Sequence, residues 1–168
     1  MSDNSSYFRI VADRVVDTGL GFNDKSLRAA VTLWQEKAAG RAMPARSDFS
    51  HEDLWPFMGN IALIDVEPAP LRYRYRLIGT NIVSLVDRDM SGRYLDDVYA
   101  GEKYENVVRS FDYIRTHKVP VRGTGNISHA EKGHLRVEVL DAPLSSDGET
   151  VDMIFKVVAR NESSGLSL

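Results

Sequence analysis

Five stretches rich in apolar residues read as β-strands, at residues 61–67, 72–79, 119–128, 134–142 and 151–159. The first is apolar on both sides, as expected of a strand covered on both faces. The second alternates strictly, with Tyr73, Tyr75 and Leu77 on one face and Arg72, Arg74 and Arg76 on the other. In the third, Val121, Gly123, Gly125 and Ile127 share a face, and the two glycines leave space beside the backbone. In the fourth, Leu135, Val137 and Val139 oppose His134, Arg136 and Glu138. In the last, Met153, Phe155 and Val157 face one way and Ile154 and Val158 the other, so both sides require cover. This strand is expected at the centre of the sheet.

Helical spacing fills the intervals. Residues 7–16 carry Phe8, Val11, Ala12 and Val15 on one side. After a Thr18–Phe22 break, Asn23 or Asp24 is placed to cap a helix marked by Leu27, Ala30, Val31, Trp34 and Ala38, with Gly40 suited to end it. Pro44 forces an extended arm. Between the second and third strands come two short helical pieces, near 80–87 and 94–99, and a longer helix over 102–117 with Tyr104, Val107, Val108, Phe111 and Ile114 inward. The Asp147-Gly148 pair signals a hairpin.

The segmentation is thus 1–22 as an N-terminal extension, 23–160 as one α+β domain and 161–168 as a flexible tail. The expected fold is a five-stranded antiparallel sheet in which the two hairpins meet around the last strand, with the Trp34 helix on the outer face.

Composition narrows the function. The formal net charge of −3 argues against general nucleic-acid binding or attraction to an anionic membrane surface. The absence of cysteine removes disulfides, thiolate nucleophiles and cysteine-based metal sites. No stretch reaches the roughly 20 apolar residues that cross a bilayer, and the first residues lack the pattern of a secretory signal. A cytoplasmic location is expected. No Walker loop, Gly-x-Ser-x-Gly elbow or Gly-x-Gly-x-x-Gly turn occurs.

Several local motifs stand in order: Leu33-Trp34, Gly40-Arg41-Ala42-Met43-Pro44-Ala45-Arg46-Ser47-Asp48, Asn60-Ile61-Ala62-Leu63-Ile64-Asp65-Val66, Arg74-Tyr75-Arg76-Leu77-Ile78-Gly79-Thr80 and Ser91-Gly92-Arg93. Together they resemble a proteobacterial subfamily of stand-alone PAS domains, over residues 27–158. The resemblance implies a sheet in the order 2-1-5-4-3 with helices closing one face, and a non-catalytic sensory or protein-interaction module. It implies a homodimer formed through N-terminal helices, output through a partner signalling protein, and no settled ligand or cofactor.

The expected ligand-binding positions, in a cup between sheet and helices, are Leu63, Tyr73, Tyr75, Leu77, Val86, Tyr94, Val108, Phe111, Gly123, Gly125, Val137 and Phe155. The cup suits a small apolar or aromatic ligand with tyrosine hydroxyls as polar handles. An ordinary filled core is the simpler account. His117, the histidine best placed for a haem or metal, lies at a helix C-terminus, where a cation is favoured by the dipole alone; it is read as structural, as are His51, His129 and His134. Asp96, Asp97 and Glu102 read as surface or capping carboxylates rather than an acid–base pair. Arg46, Asp48, Asp65 and Arg76 are expected to lock the arm to the sheet. Two other functions compete: a small cone-shaped isomerase or dehydratase using Tyr73 or Tyr75, and a ligand-free structural adaptor.

Overall fold

In a computed structural model, residues 18–86, 88–129 and 133–161 are described. The expected helix at 7–16 and all of the expected tail 161–168 but Asn161, which ends the last strand, lie outside them. Helix α1 (Lys25–Ala38) leads by way of an arm to a short helix α2 (His51–Leu54) and a 3-10 turn (Trp55–Asn60). Strands β1 (Ile61–Pro68) and β2 (Leu71–Ile78) follow. Then come α3 (Thr80–Val86), α4 (Leu95–Val98) and α5 (Glu102–His117). Strands β3 (Val121–His129), β4 (Gly133–Leu144) and β5 (Met153–Asn161) close the domain. All four strand pairings are antiparallel, in the order β2-β1-β5-β4-β3. The two hairpins therefore meet at β5, as expected from its double-sided apolar pattern.

Cross-strand partners define two faces. Tyr73, Tyr75, Ile64, Val66, Ile154, Val139 and Val137 share one with Gly123 and Gly125. Helix α5 covers this face, with Phe111 against the Tyr73 ring at 5.4 Å. The other face carries Ile61, Leu63, Phe155, Val157, Leu140 and Ala142. It is covered by the arm, where Phe49 stacks on Phe155 at 5.6 Å, and by α1, whose Leu27, Ala30, Val31, Trp34 and Ala38 are buried.

Asp24 caps α1, as expected, by accepting the N–H groups of Ser26 (2.7 Å) and Leu27 (3.2 Å) together with the Ser26 hydroxyl. Ala39, rather than Gly40, takes the left-handed cap position at φ 52°, and Gly40 follows at φ 83°. Burial pushes the Asp24 carboxyl upward, but these hydrogen bonds outweigh it and its pKa is lowered. A depressed folded-state value adds stability that is complete above the unfolded value near ~3.9 and is lost as pH falls through the folded one. Asp24→Ala is therefore expected to cost about 1 kcal/mol at neutral pH. Urea unfolding of both proteins should show that gap closing below about pH 3.

The arm does not use the expected ion pairs. Asp65 instead joins Arg74 (2.9 Å) and Arg76 (2.8 Å) within the first hairpin. Asp48 pairs with Arg41 at 2.7 Å inside the arm itself, and Arg46 donates to the Phe49 carbonyl. What ties the arm to the sheet is the Ser145 N–H donating to the Pro44 carbonyl (2.9 Å), with Met43 and Phe49 buried and Phe49 stacked on Phe155.

Gly79 explains one motif. A Cβ there would stand 2.4 Å from the Gly59 carbonyl oxygen and 2.6 Å from that of Met58, while the Gly79 N–H donates to the Ile61 carbonyl at 2.7 Å. Backbone cannot yield as a side-chain tip can. Gly79→Ala is expected to cost about 2–3 kcal/mol. A chemical-denaturation midpoint indistinguishable from the parent would contradict this.

Candidate functional site

The candidate site is the cup between the first sheet face and α3, α4 and α5. Pleat geometry alone sends Tyr73 and Tyr75 inward from β2, since alternate residues share a face. Both are buried. The Tyr75 and Tyr99 hydroxyls lie 3.3 Å apart, and Tyr99 also donates to the Met90 sulfur at 3.1 Å. Val108 and Phe111 enter from α5, and both are buried.

Tyr73 donates to Asp112 Oδ1 at 2.5 Å, with Arg115 near the same carboxylate at 3.8 Å. Burial, reinforced by Asp112, pushes the Tyr73 phenol well above its ordinary pKa. The phenol is thus held protonated, a donor rather than a base.

The polar content of the cup extends to β4 and β5. Asp141 and Lys156 are direct cross-strand partners on this face, joined at 2.8 Å. The Asp141 side chain is 0% exposed and that of Lys156 12%. The ammonium lies 5.3 Å from the Phe111 ring. The Ser110 hydroxyl on α5 is buried and has no hydrogen-bond partner among the described residues. A buried hydroxyl without a partner costs free energy, so it marks a place where another group could bond.

Three expected cup residues face the other way. Leu63 pairs with Phe155 on the outer face, and Phe155 lies against Phe49 in the arm. Leu77 is opposite Leu63, because a register shift between Leu63 and Ile64 passes over Arg76 in β2. That bulge breaks the face shared by Tyr73, Tyr75 and Leu77 in a strictly alternating reading.

Tyr94 stands outside the cup. It bridges Arg74 at the sheet edge, donates to Glu67 at 3.1 Å and carries the Arg72 guanidinium over its ring at 3.7 Å. Val86 is half-buried at the core margin. Asp96 receives two hydrogen bonds from Arg72, 2.9 and 2.6 Å, so these carboxylates balance a strand arginine.

Sequence reasoning missed Lys156, Asp141 and Ser110. Val137, Val139 and Asp141 follow at two-residue spacing, and that signal could have placed Asp141 inward. His51 meets Trp55 edge-on at 5.5 Å, and His117 Nδ1 lies 3.0 Å from the Tyr113 carbonyl, both away from the cup. Of His129 and His134 only the backbone is described. Among the described residues there is no cluster of three metal-ligating side chains, and no helix is long and apolar enough to cross a membrane.

A family model described as PAS domain matches residues 22–159. The light-state structure of the blue-light photoreceptor Aureochrome1 LOV is 13% identical, with a TM-score of 0.46, covering 68% of this chain and 91% of that one. The N-terminal domain of a diguanylate cyclase with PAS/PAC sensor from Marinobacter aquaeolei is 13% identical, with a TM-score of 0.42, covering 60% and 94%. A LOV protein of Rhodobacter sphaeroides is 10% identical, with a TM-score of 0.45, covering 86% and 72%. The curated proteins contain no match.

Proposed function

Because the chain belongs to the PAS domain family, matched over residues 22–159, we propose that it is a non-catalytic sensory and protein-interaction module. It works as a homodimer through α1 and the residues before it, and passes its signal to a partner protein. The cup takes a small ligand between Tyr73, Tyr75, Val108, Phe111, Val137, Gly123 and Gly125. The observation that carries this reading is the polar interior of the cup. A pocket evolved only for packing has no use for a buried Ser110 hydroxyl without a described partner or for a buried Lys156–Asp141 pair, since hydrophobic residues of similar size would serve stability as well.

Signal passage has a short route. Alternate residues of β4 face the cup and the outer layer, so Val137 and Val139 touch the ligand space while Glu138 between them holds the start of α1. A ligand that favours one arrangement of β3 and β4 would shift the population of α1 positions.

The enzyme reading has one observation in its favour, the Tyr73–Asp112 contact. The raised phenol pKa opposes use of Tyr73 as a base.

Native mass spectrometry on protein purified from its own source tests the proposal. A dimer mass with a bound small molecule supports it. A monomer with neither small molecule nor protein partner, at high concentration, overturns it.

A further inference from the structure

A second cavity lies away from the cup. A groove of about 590 Å³ opens where α1 meets the α5–β3 connection, within the size range of small-molecule sites. We propose that this groove is a separate ligand site for a small aromatic carboxylate.

Its walls supply both halves of such a ligand's recognition. Trp34 and Tyr113 offer aromatic surface, and Val119 and Pro120 extend it. The Trp34 indole is anchored by its Nε1–H to the Pro143 carbonyl at 2.8 Å, so its ring is held in place before any ligand arrives. His117 stacks on Tyr113 with centroids 3.9 Å apart and an 18° tilt, which fixes that ring as well.

The charge in the groove is of one sign. Lys118 lines it beside His117, and no Asp or Glu does. His117 Nδ1–H donates to the Tyr113 carbonyl at 3.0 Å, which with the ring stack holds the imidazole in place. Lys118 is set there by its left-handed backbone, φ 57°, which ends α5 and turns the chain toward β3. An anionic ligand meets the Lys118 ammonium with no carboxylate among the lining residues to repel it. An aromatic cation meets that ammonium as a like charge.

The test uses the full chain, labelled with nitrogen-15, and 2-naphthoate as probe. The chain has two tryptophans, so two indole N–H signals report. Trp34 lies in the groove, whereas Trp55 is 68% exposed elsewhere and serves as the internal reference. A Trp55→Phe variant assigns the two signals. The expected result is a saturable shift of the Trp34 signal alone. Lys118→Asn should weaken binding roughly tenfold, as loss of a charge-assisted hydrogen bond does, and His117→Gln, which removes the ring stacked on Tyr113, should weaken it as well. Both residues are exposed, and asparagine tolerates the left-handed backbone at 118, so the fold should survive. Neutral 2-naphthamide should bind more weakly than naphthoate and should not respond to Lys118→Asn. The proposal is overturned by no saturable shift at Trp34, by equal shifts at both tryptophans, by equal affinity for 2-naphthylmethylammonium, or by unchanged binding in both variants.

Discussion

Asp141→Leu is expected to destabilise the protein by about 3–5 kcal/mol, while Asp141→Leu combined with Lys156→Met is expected to leave stability within about 1 kcal/mol of the parent or raise it. The single change leaves the largely buried Lys156 ammonium without the carboxylate it faces at 2.8 Å. The double change removes both charges and fills the space with side chains of similar volume. Urea unfolding of the parent, both single variants and the double variant measures the coupling directly. A double variant as unstable as the single one would mean that the pair serves stability, and the argument for a ligand role of the cup's polar floor would lose its basis. A stable double variant that no longer retains a small molecule in native mass spectrometry would assign the pair to recognition.

Glu138→Ala should cost a comparable amount, about 3–5 kcal/mol, for a different reason. The Glu138 side chain is 0% exposed on the outer face of β4. It accepts the N–H of Asn23 (3.1 and 3.0 Å) and of Asp24 (2.8 Å), and two hydrogen bonds from Arg122 at 2.9 and 2.5 Å. One carboxylate thus meets a guanidinium from β3 and the backbone N–H groups where α1 begins. Negative charge at that end is favoured by the helix dipole. Truncation strips these donors of an acceptor that is itself fully buried. The loss should be uneven. Hydrogen exchange is expected to rise first over residues 22–31 and to leave β1 and β5 protected at early times. Uniform loss of protection across the sheet would show that α1 is not held separately by this contact. Glu138→Gln, which keeps one acceptor oxygen but no charge, should fall between the parent and Glu138→Ala.

Much of the architecture was legible because local chemistry and pattern agreed. Strict alternation in Arg72–Leu77 marked β2, and the doubly apolar run through Ile154, Phe155, Val157 and Val158 marked a strand covered on both faces. The Asn23-Asp24 pair announced the start of α1, of which Asp24 proved the cap, and the inward stripe of α5 followed from helical spacing. These signals arise from backbone geometry and side chains close in sequence, so no knowledge of distant partners was required. The family resemblance rested on the same local motifs, and the match over residues 22–159 upholds its coarser part, membership of the PAS domain family.

The cup's lining depended on contacts that lie far apart in the chain. In β5 the polar Lys156 points into the cup, because Asp141 on the neighbouring strand neutralises it, and this sends Phe155 to the outer face. A period of two cannot choose between the sides of a strand that is apolar on both; only the partner of its one charged residue does. The bulge at Arg76 moved Leu77 across in the same way, through the register against β1 rather than any feature of β2 itself. Glu138 reads as a solvent-facing residue by alternation, yet α1 closes over it from more than a hundred positions earlier in the chain. Pleat, helix period and capping are short-range properties, while burial of charge is settled by whichever element folds across it.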